Sequence, residues 1–323
     1  MTLKKLNTYD KILISFSGGK DSMACFLHLL ELGADKNKIE LWHNEVDGRE
    51  GSELMDWPCT ADYCRKFAQA FGVPIYYSWK EGGFEREMLR DNTSTAPIKF
   101  ETPEGRIESA GGKRDSPGTR LKFPQVSPDL SARFCSPYLK IDVAASAIRN
   151  QKRFDGIKTL FVTGERGEES TARAGYAINE RDRADNREGR KKRHVQHWRP
   201  IRDWKREKIW DIIERHKVRV HPAYYLGFGR VSCACCIFGS KNQFATIHKI
   251  NPSQTERVMN YEEKFGVTIK RDKSIRQLIS EGTPYNMDDE TIKSALSKEY
   301  TLPIFMDKWI LPAGAYGEQC GSM

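Results

Sequence analysis

The sequence predicts an α/β fold: a mostly parallel, twisted sheet with helices on both faces, followed by a helical C-terminal region. Three observations predict it. Short apolar runs alternate with amphipathic segments through the first ninety residues. A glycine pair separates the first apolar run from the first amphipathic segment. The alternation then resumes near residue 140, after an irregular stretch. Parallel neighbours need a long crossover, so strands separated by helix-length segments imply βαβ units.

The elements follow in order. Residues 11–16 (KILISF) form a β-rich run, and residues 21–32 carry helical apolar spacing closed by Gly33. Residues 39–43 (IELWH) read as a second strand, 61–71 as a second helix and 74–78 as a third strand. Residues 91–134 break the rhythm. They are rich in Gly, Pro, Ser and Thr with scattered Lys and Arg, and read as a long loop or insertion, ordered with ligand. Residues 140–153 look helical and 159–163 (TLFVT) look like a strand. The charge run at 175–199 reads first as a solvated, mobile segment. Residues 204–216 are amphipathic, and short helices follow at 242–250, 254–265, 274–281 and 288–296. Two units are expected. Residues 1–230 form the sheet domain with its basic insertion at about 91–134, and residues 231–323 form a cysteine loop and helical region.

Composition sets limits. The 323 residues carry 53 Lys plus Arg against 44 Asp plus Glu, a formal charge of +9. Aromatic content of 11% argues against a disordered chain. No apolar run is long enough to span a bilayer, and the N-terminus lacks the features of a secretory signal. The expectation is a cytoplasmic, globular protein with no membrane partner. Eight cysteines stand at 25, 59, 64, 135, 233, 235, 236 and 320. In a cytoplasmic chain, such clustering favours metal or redox chemistry over disulfides. Cys25, Cys59 and Cys64 have apolar neighbours and read as packing residues.

The sharpest signal is Ser17-Gly18-Gly19-Lys20-Asp21-Ser22, between the first strand and first helix. Two glycines allow a tight turn and close backbone approach to an anion. The helix N-terminus adds unpaired N–H groups and a positive dipole end. Lys20 adds a full charge, and Ser17 and Ser22 add hydroxyls. This is a phosphate cradle. It is not a Walker A loop, because Ile14 stands at that motif's first glycine and Asp21 at its Ser/Thr.

FSGGKDS resembles the PP-loop of the N-type ATP pyrophosphatases, the adenine nucleotide α-hydrolase superfamily. The resemblance extends along most of the chain. Val46-Asp47-Gly48 resembles the superfamily's acidic segment at the second strand end. Gly164-Glu165-Arg166-Gly167-Glu168-Glu169-Ser170 resembles the signature of the phosphoadenosine-phosphosulfate (PAPS) reductase-like branch. His197-Trp198-Arg199-Pro200-Ile201, His221-Pro222-Ala223-Tyr224 and Arg230-Val231-Ser232-Cys233 continue in that branch's order. Within it the chain looks most like the DndC and SspD proteins of DNA phosphorothioation. True PAPS reductases have a loop without the lysine, whereas this sequence keeps Lys20.

The resemblance implies cleavage of ATP between its α and β phosphates, with adenylation of an acceptor. Ser17, Gly18, Gly19, Lys20 and Ser22 would hold the β and γ phosphates. Asp21 or Asp47 would ligate Mg²⁺. Arg166, beside Gly164, would reach the α-phosphate or an acidic substrate, with Glu165 and Glu168 orienting it. Lys20, Asp21, Glu165 and Arg166 are the expected catalytic set. All follow strands, where open parallel sheets bind ligands. A solvated helix start is the plainer reading of Glu168–Glu169.

Cys233 and Cys236 form a C-x-x-C, a spacing that grips one metal or cluster. By resemblance to cluster-bearing relatives, Cys135 would join them, with Cys235 or Cys320 as fourth ligand. A [4Fe–4S] cluster is the expected cofactor, zinc and plain thiols being the alternatives. The relatives carry a cysteine pair where this sequence has Cys135-Ser136. Glu318-Gln319-Cys320-Gly321 is similar to the nucleophilic tail of PAPS reductases, with Gln319 inserted.

The basic run holds Arg187, Arg190, Lys191, Lys192 and Arg193 with His194, His197 and Trp198. The insertion adds Lys99, Arg106, Lys113, Arg114, Arg120, Lys122 and Arg133. Such segments suit a DNA backbone, with bases stacking on the aromatics. An acidic partner protein or a sulfur carrier would suit them too. The expected partners are DNA, a cysteine desulfurase and other phosphorothioation proteins. Two alternatives stand beside this reading: a reductase of PAPS or adenylylsulfate, and a non-catalytic nucleotide- and Fe–S-binding regulatory module.

Overall fold

The computed structural model describes residues 1–112, 117–127, 129–231 and 233–318. Among them, eight strands form one sheet: β1 (Lys11–Ser15), β2 (Ile39–Glu45), β3 (Ile75–Lys80), β4 (Ile98–Glu101), β5 (Ile107–Ala110), β6 (Lys158–Val162), β7 (Asn179–Arg181) and β8 (His194–Trp198). Their order is β5-β4-β3-β2-β1-β6-β8-β7. The five central strands, β3 to β8, are parallel. The outer strands β4, β5 and β7 are antiparallel.

Period-two alternation sorts the sheet's side chains onto two faces. Ile12, Ile14, Ile39, Leu41, Leu160 and Val162 share one apolar cluster with helices α1 (Lys20–Glu31) and α2 (Thr60–Phe71). Leu13, Trp42, Phe161 and Val195 share another with helix α3 (Asp142–Asn150). Each such buried side chain contributes about 1.5–3 kcal/mol. Helix α4 (Arg206–Arg215) packs on α1 through Ile209, Trp210, Ile212 and Ile213.

A third cluster gathers the C-terminal helices α5 (Lys241–Ile250), α6 (Pro252–Phe265), α7 (Ile275–Glu281) and α8 (Asp289–Leu296). It also takes in Leu54, Met55 and Trp57 after β2, Phe84 and Met88 after β3, and Phe134 and Leu139. The Ala234 N–H donates to the Met55 carbonyl at 2.7 Å. Gln254 donates to the Leu54 carbonyl at 3.0 Å. The helical region therefore fastens the loop after β2 to the cysteine loop. Among the described residues no helix is long and apolar enough to cross a membrane.

Two segments differ from the sequence expectation. The 91–134 stretch contains the β4–β5 hairpin, because Ile98 and Phe100 alternate with polar neighbours and bury against α3. Part of its basic charge is drawn inward. Glu87, whose side chain is fully buried, accepts from Arg90 at 2.9 Å, Arg120 at 2.7 Å and Thr95 at 2.9 Å. Arg120 also stacks on Phe134 and Tyr138. Lys113 and Arg114 lie outside the described residues. The 175–199 run contains β7 and β8. Buried Val195 and Trp198 seat β8 beside β6. Arg193 is buried against Asp155 at 2.8 Å, and Arg187 pairs with Asp185.

Candidate active site

The chain runs from β1 outward to β2 and β3, then crosses to β6 and β8 on the other side. Strand order thus reverses between β1 and β6. The loops leaving these two strands diverge there, which is where open α/β sheets bind ligands. The loop after β1 is 17–22. The loop after β6 carries Gly164, Glu165 and Arg166.

Gly18 has φ +75°, a left-handed conformation that glycine adopts without strain, and a Cβ there would lie 3.0 Å from the Cys64 sulfur. The loop then turns into α1, with Gly19 as N-cap. The Ser22 hydroxyl donates to the Gly19 carbonyl at 2.9 Å and lies 3.4 Å from the Ser17 hydroxyl. The Lys20 N–H donates to the Tyr224 hydroxyl at 2.9 Å. Tyr224 comes from the His221-Pro222-Ala223-Tyr224 motif. Its role as a brace for the loop is set by tertiary packing.

The loop's charges are arranged around Asp21. One carboxylate oxygen takes the Lys20 ammonium at 3.1 Å; the other takes Arg166 Nε at 2.7 Å. Both cations are 1% exposed. Burial opposes charge on Asp21, but Lys20 and Arg166 outweigh it and hold the carboxyl below its ordinary range. Lys20 also donates to the Gly229 carbonyl at 3.4 Å. Arg166 reaches Glu168 as well. Gly164 permits this closeness, since a Cβ there would lie 3.0 Å from the Asp21 backbone.

Glu165 ends a directional network. Arg199 Nη2 lies 3.5 Å from His197 Nδ1, His197 Nε2 lies 2.6 Å from the Thr163 hydroxyl, and that hydroxyl donates to Glu165. If Arg199 donates to Nδ1, the neutral ring carries its proton on Nε2 and donates to Thr163. Burial, then Arg199, lowers the His197 pKa, which favours the neutral ring.

Asp47 stands elsewhere in role. Its Oδ2 accepts the N–H groups of Met55 and Asp56, both at 2.8 Å. Its Oδ1 is buried without a partner among the described residues. Burial pushes its pKa up to about 7, against the pull of those two N–H groups. The folded protein therefore holds a proton that the unfolded chain, with an ordinary carboxyl, releases. Stability should fall as pH rises from about 4 to about 7 and level off above. Asp47→Asn keeps both accepted bonds and removes this slope. The gap between denaturant midpoints at pH 5 and pH 8 should narrow in the variant, with Glu45, whose carboxyl burial also pushes up to about 7, keeping the remainder.

Cys135, Cys233 and Cys236 sit partly buried at the rim of the C-terminal cluster, while Cys235 is fully buried within it. Burial raises the Cys135 and Cys233 pKa values, Lys140 opposes this, and each thiol feels Cys236. Among the described residues, no group of three or more His, Cys, Asp or Glu stands at metal-holding distance. Cys320, the other proposed ligand, lies outside the described residues, as does Ser232.

Residues 118–238 match the phosphoadenosine phosphosulfate reductase domain. That match covers little more than a third of the chain and is a likeness to that domain. Beyond the domain, the chain is 26% identical over 277 residues to the uncharacterized 37.8 kDa protein in the gpa 5′ region of Escherichia phage 186. That alignment covers 81% of this chain and 77% of the phage protein. The domain match includes Cys135, Arg166, Tyr224 and the cysteine loop; the phosphate loop at 17–22 lies ahead of it. The likeness to that domain supports a nucleotide-binding, sulfur-related function.

A cavity of about 500 Å³, counting its open mouth, adjoins the glycine loop at 17–22. It is lined by Phe16 and Ser17 from the loop, His43, Asn44 and Val46 from β2 and its exit, Asp56, Thr60, Lys140, Val231 and Cys233. The sequence singled out only Ser17 and Cys233 among these. A second buried set looks reactive and is structural. Cys59 lies 3.3 Å from His221 Nε2, but Nδ1 of that ring accepts the Ala223 N–H. Burial pushes the His221 pKa down to about 3, so the ring cannot act as a base partner that charges near neutrality.

Proposed function

We propose that the protein is an ATP pyrophosphatase that adenylates an acceptor for sulfur transfer. The observation that carries this is the convergence of Lys20, Asp21 and Arg166 at the strand-order reversal, on a glycine loop opening a helix. A loop with a buried lysine suits a departing pyrophosphate. In the reaction an acceptor oxygen attacks the α-phosphorus. The bond from that phosphorus to the α–β bridging oxygen breaks, pyrophosphate leaves, and the acceptor becomes the AMP ester. Lys20 and the loop N–H groups neutralise the charge gathering on pyrophosphate. Arg166 faces the α-phosphate, and Glu165, held by Thr163 and His197, takes the acceptor's proton. Asp21 would offer an oxygen to a divalent cation only by giving up Lys20 or Arg166, which take both its oxygens here; Mg²⁺ would supply further charge neutralisation there.

Cys135, Cys233 and Cys236 are soft sulfur donors of the kind that hold an iron–sulfur cluster, although they do not stand at metal-holding distance in this structure. When bound it would supply a sulfur- or electron-handling centre at the edge of the nucleotide cavity. After anaerobic purification, iron and sulfide should be present in the parent. Cys233→Ser should lose them and Cys235→Ser should keep them, because Cys235 is packed in the apolar cluster. An iron-free, colourless parent would remove the cluster.

The acceptor we assign is the DNA backbone, with a cysteine desulfurase supplying sulfur. The formal charge of +9 and the exposed Arg106, Arg190 and Lys192 support it. Duplex binding should then weaken steeply with salt. The deciding experiment is pyrophosphate release from ATP. Sulfite released from PAPS, with no pyrophosphate from ATP, would favour the reductase reading.

A further inference from the structure

The cavity beside the phosphate loop contains a polar atom with nothing to bond. His43 is 3% exposed. Its Nδ1 lies 2.9 Å from the Phe16 carbonyl, an acceptor, so Nδ1 carries the proton. Burial lowers the ring's pKa, with Lys140 and Arg49 acting in the same direction and Asp56 against. The neutral tautomer therefore leaves a bare lone pair on Nε2. That atom is buried and has no hydrogen-bond partner among the described residues. An orphaned buried acceptor of this kind is destabilising until a donor arrives.

The occupant must bring an N–H or O–H into a cavity with apolar walls at Val46 and Val231. The cavity starts at Phe16 and Ser17, where the phosphate loop begins. A nucleotide whose phosphates lie on residues 17–22 would lay its flat base against those walls. The edge of a purine farthest from its phosphates carries the 6-substituent. In adenine that substituent is an amine, a donor. In hypoxanthine and guanine it is a carbonyl, whose lone pairs would oppose those of Nε2.

We infer that His43 is a specificity-determining residue that accepts a hydrogen bond from the 6-amino group of an adenine nucleotide. The inference rests on the nucleotide reading above and goes beyond it by naming the group that selects the base. His43 also braces the loop through Phe16, so base recognition and phosphate cradle share one side chain.

Calorimetric titration of the full chain with ATP, purine riboside triphosphate, inosine triphosphate and inorganic tripolyphosphate, all with Mg²⁺, tests it. The expected order of affinity is ATP, then purine riboside triphosphate, then inosine triphosphate, with about 10- to 100-fold between first and last. In His43→Leu the three nucleotides should bind alike. Equal binding of ATP and inosine triphosphate by the parent overturns the inference while leaving the loop reading intact. Retention of the full ATP preference by His43→Leu overturns it too. If the variant loses tripolyphosphate binding, the leucine has disturbed the loop, and the parent's own order decides. A parent that binds none of the four overturns both readings.

Discussion

Lys20→Ala should lower pyrophosphate release from ATP by about 10²- to 10³-fold, the usual cost of removing one preorganised charge from a site of charge development. The fold should survive. Alanine is the best helix former, and position 20 opens α1. Asp21 would keep its bond to Arg166 at 2.7 Å, so no carboxylate is left without a cation. Lys20→Met, which keeps the aliphatic stem against Tyr224, should lose activity equally while melting closer to the parent. The comparison separates charge from packing. Turnover within a few-fold of the parent in both variants would remove Lys20, and with it the pyrophosphatase reading.

That prediction draws on the part of the site legible from residues alone. The strand, glycine pair, lysine and helix all lie between Lys11 and Glu31, so local physics suffices. The central sheet was legible for the same reason: residues 11–16, 39–43 and 159–163 are short, mostly apolar, β-rich runs, as strands buried on both faces tend to be. β8 was hidden because only Val195 and Trp198 of its five residues are buried, among Lys and Arg that find partners in Asp155 and Asp185. The β4–β5 hairpin was hidden because four residues of alternation, Ile98 to Glu101, are too few to register beside Gly, Pro and Thr. His43, Tyr224 and Lys140 belong to the site only through contacts spanning up to 204 positions, which no local pattern records.

The largest stability effect should come from Glu87→Ala. Glu87 is the buried counter-ion of Arg90 and Arg120, and it lies 4.0 Å from the Lys80 ammonium. Those cations have side-chain exposures of 12%, 13% and 4%, against 0% for Glu87. Removing the carboxylate leaves three inward cations repelling one another in a poorly solvated place, a loss of about 3–5 kcal/mol. Lys99→Ala, which breaks pairs 28% and 30% exposed, should cost no more than about 1 kcal/mol. Urea midpoints of the two variants make the comparison, and similar losses would show that burial is not what gives Glu87 its weight. The pH dependence has a definite sign. Burial opposes the charge on Glu87, but Arg120, Lys80 and Arg90 prevail and hold its carboxyl below the ordinary 4.5. Its contribution is therefore complete above that value and is lost as pH falls through the lower folded-state pKa, so parent and variant should converge in acid. The consequence reaches the site. Arg120 and Lys80 lie against Tyr138, on the same turn, Pro137–Ile141, that carries Lys140 to the nucleotide cavity and follows Cys135. Iron content and ATP affinity should fall in Glu87→Ala even though residue 87 touches neither, because the wall that presents Lys140 and Cys135 is held in place by a charge buried behind it.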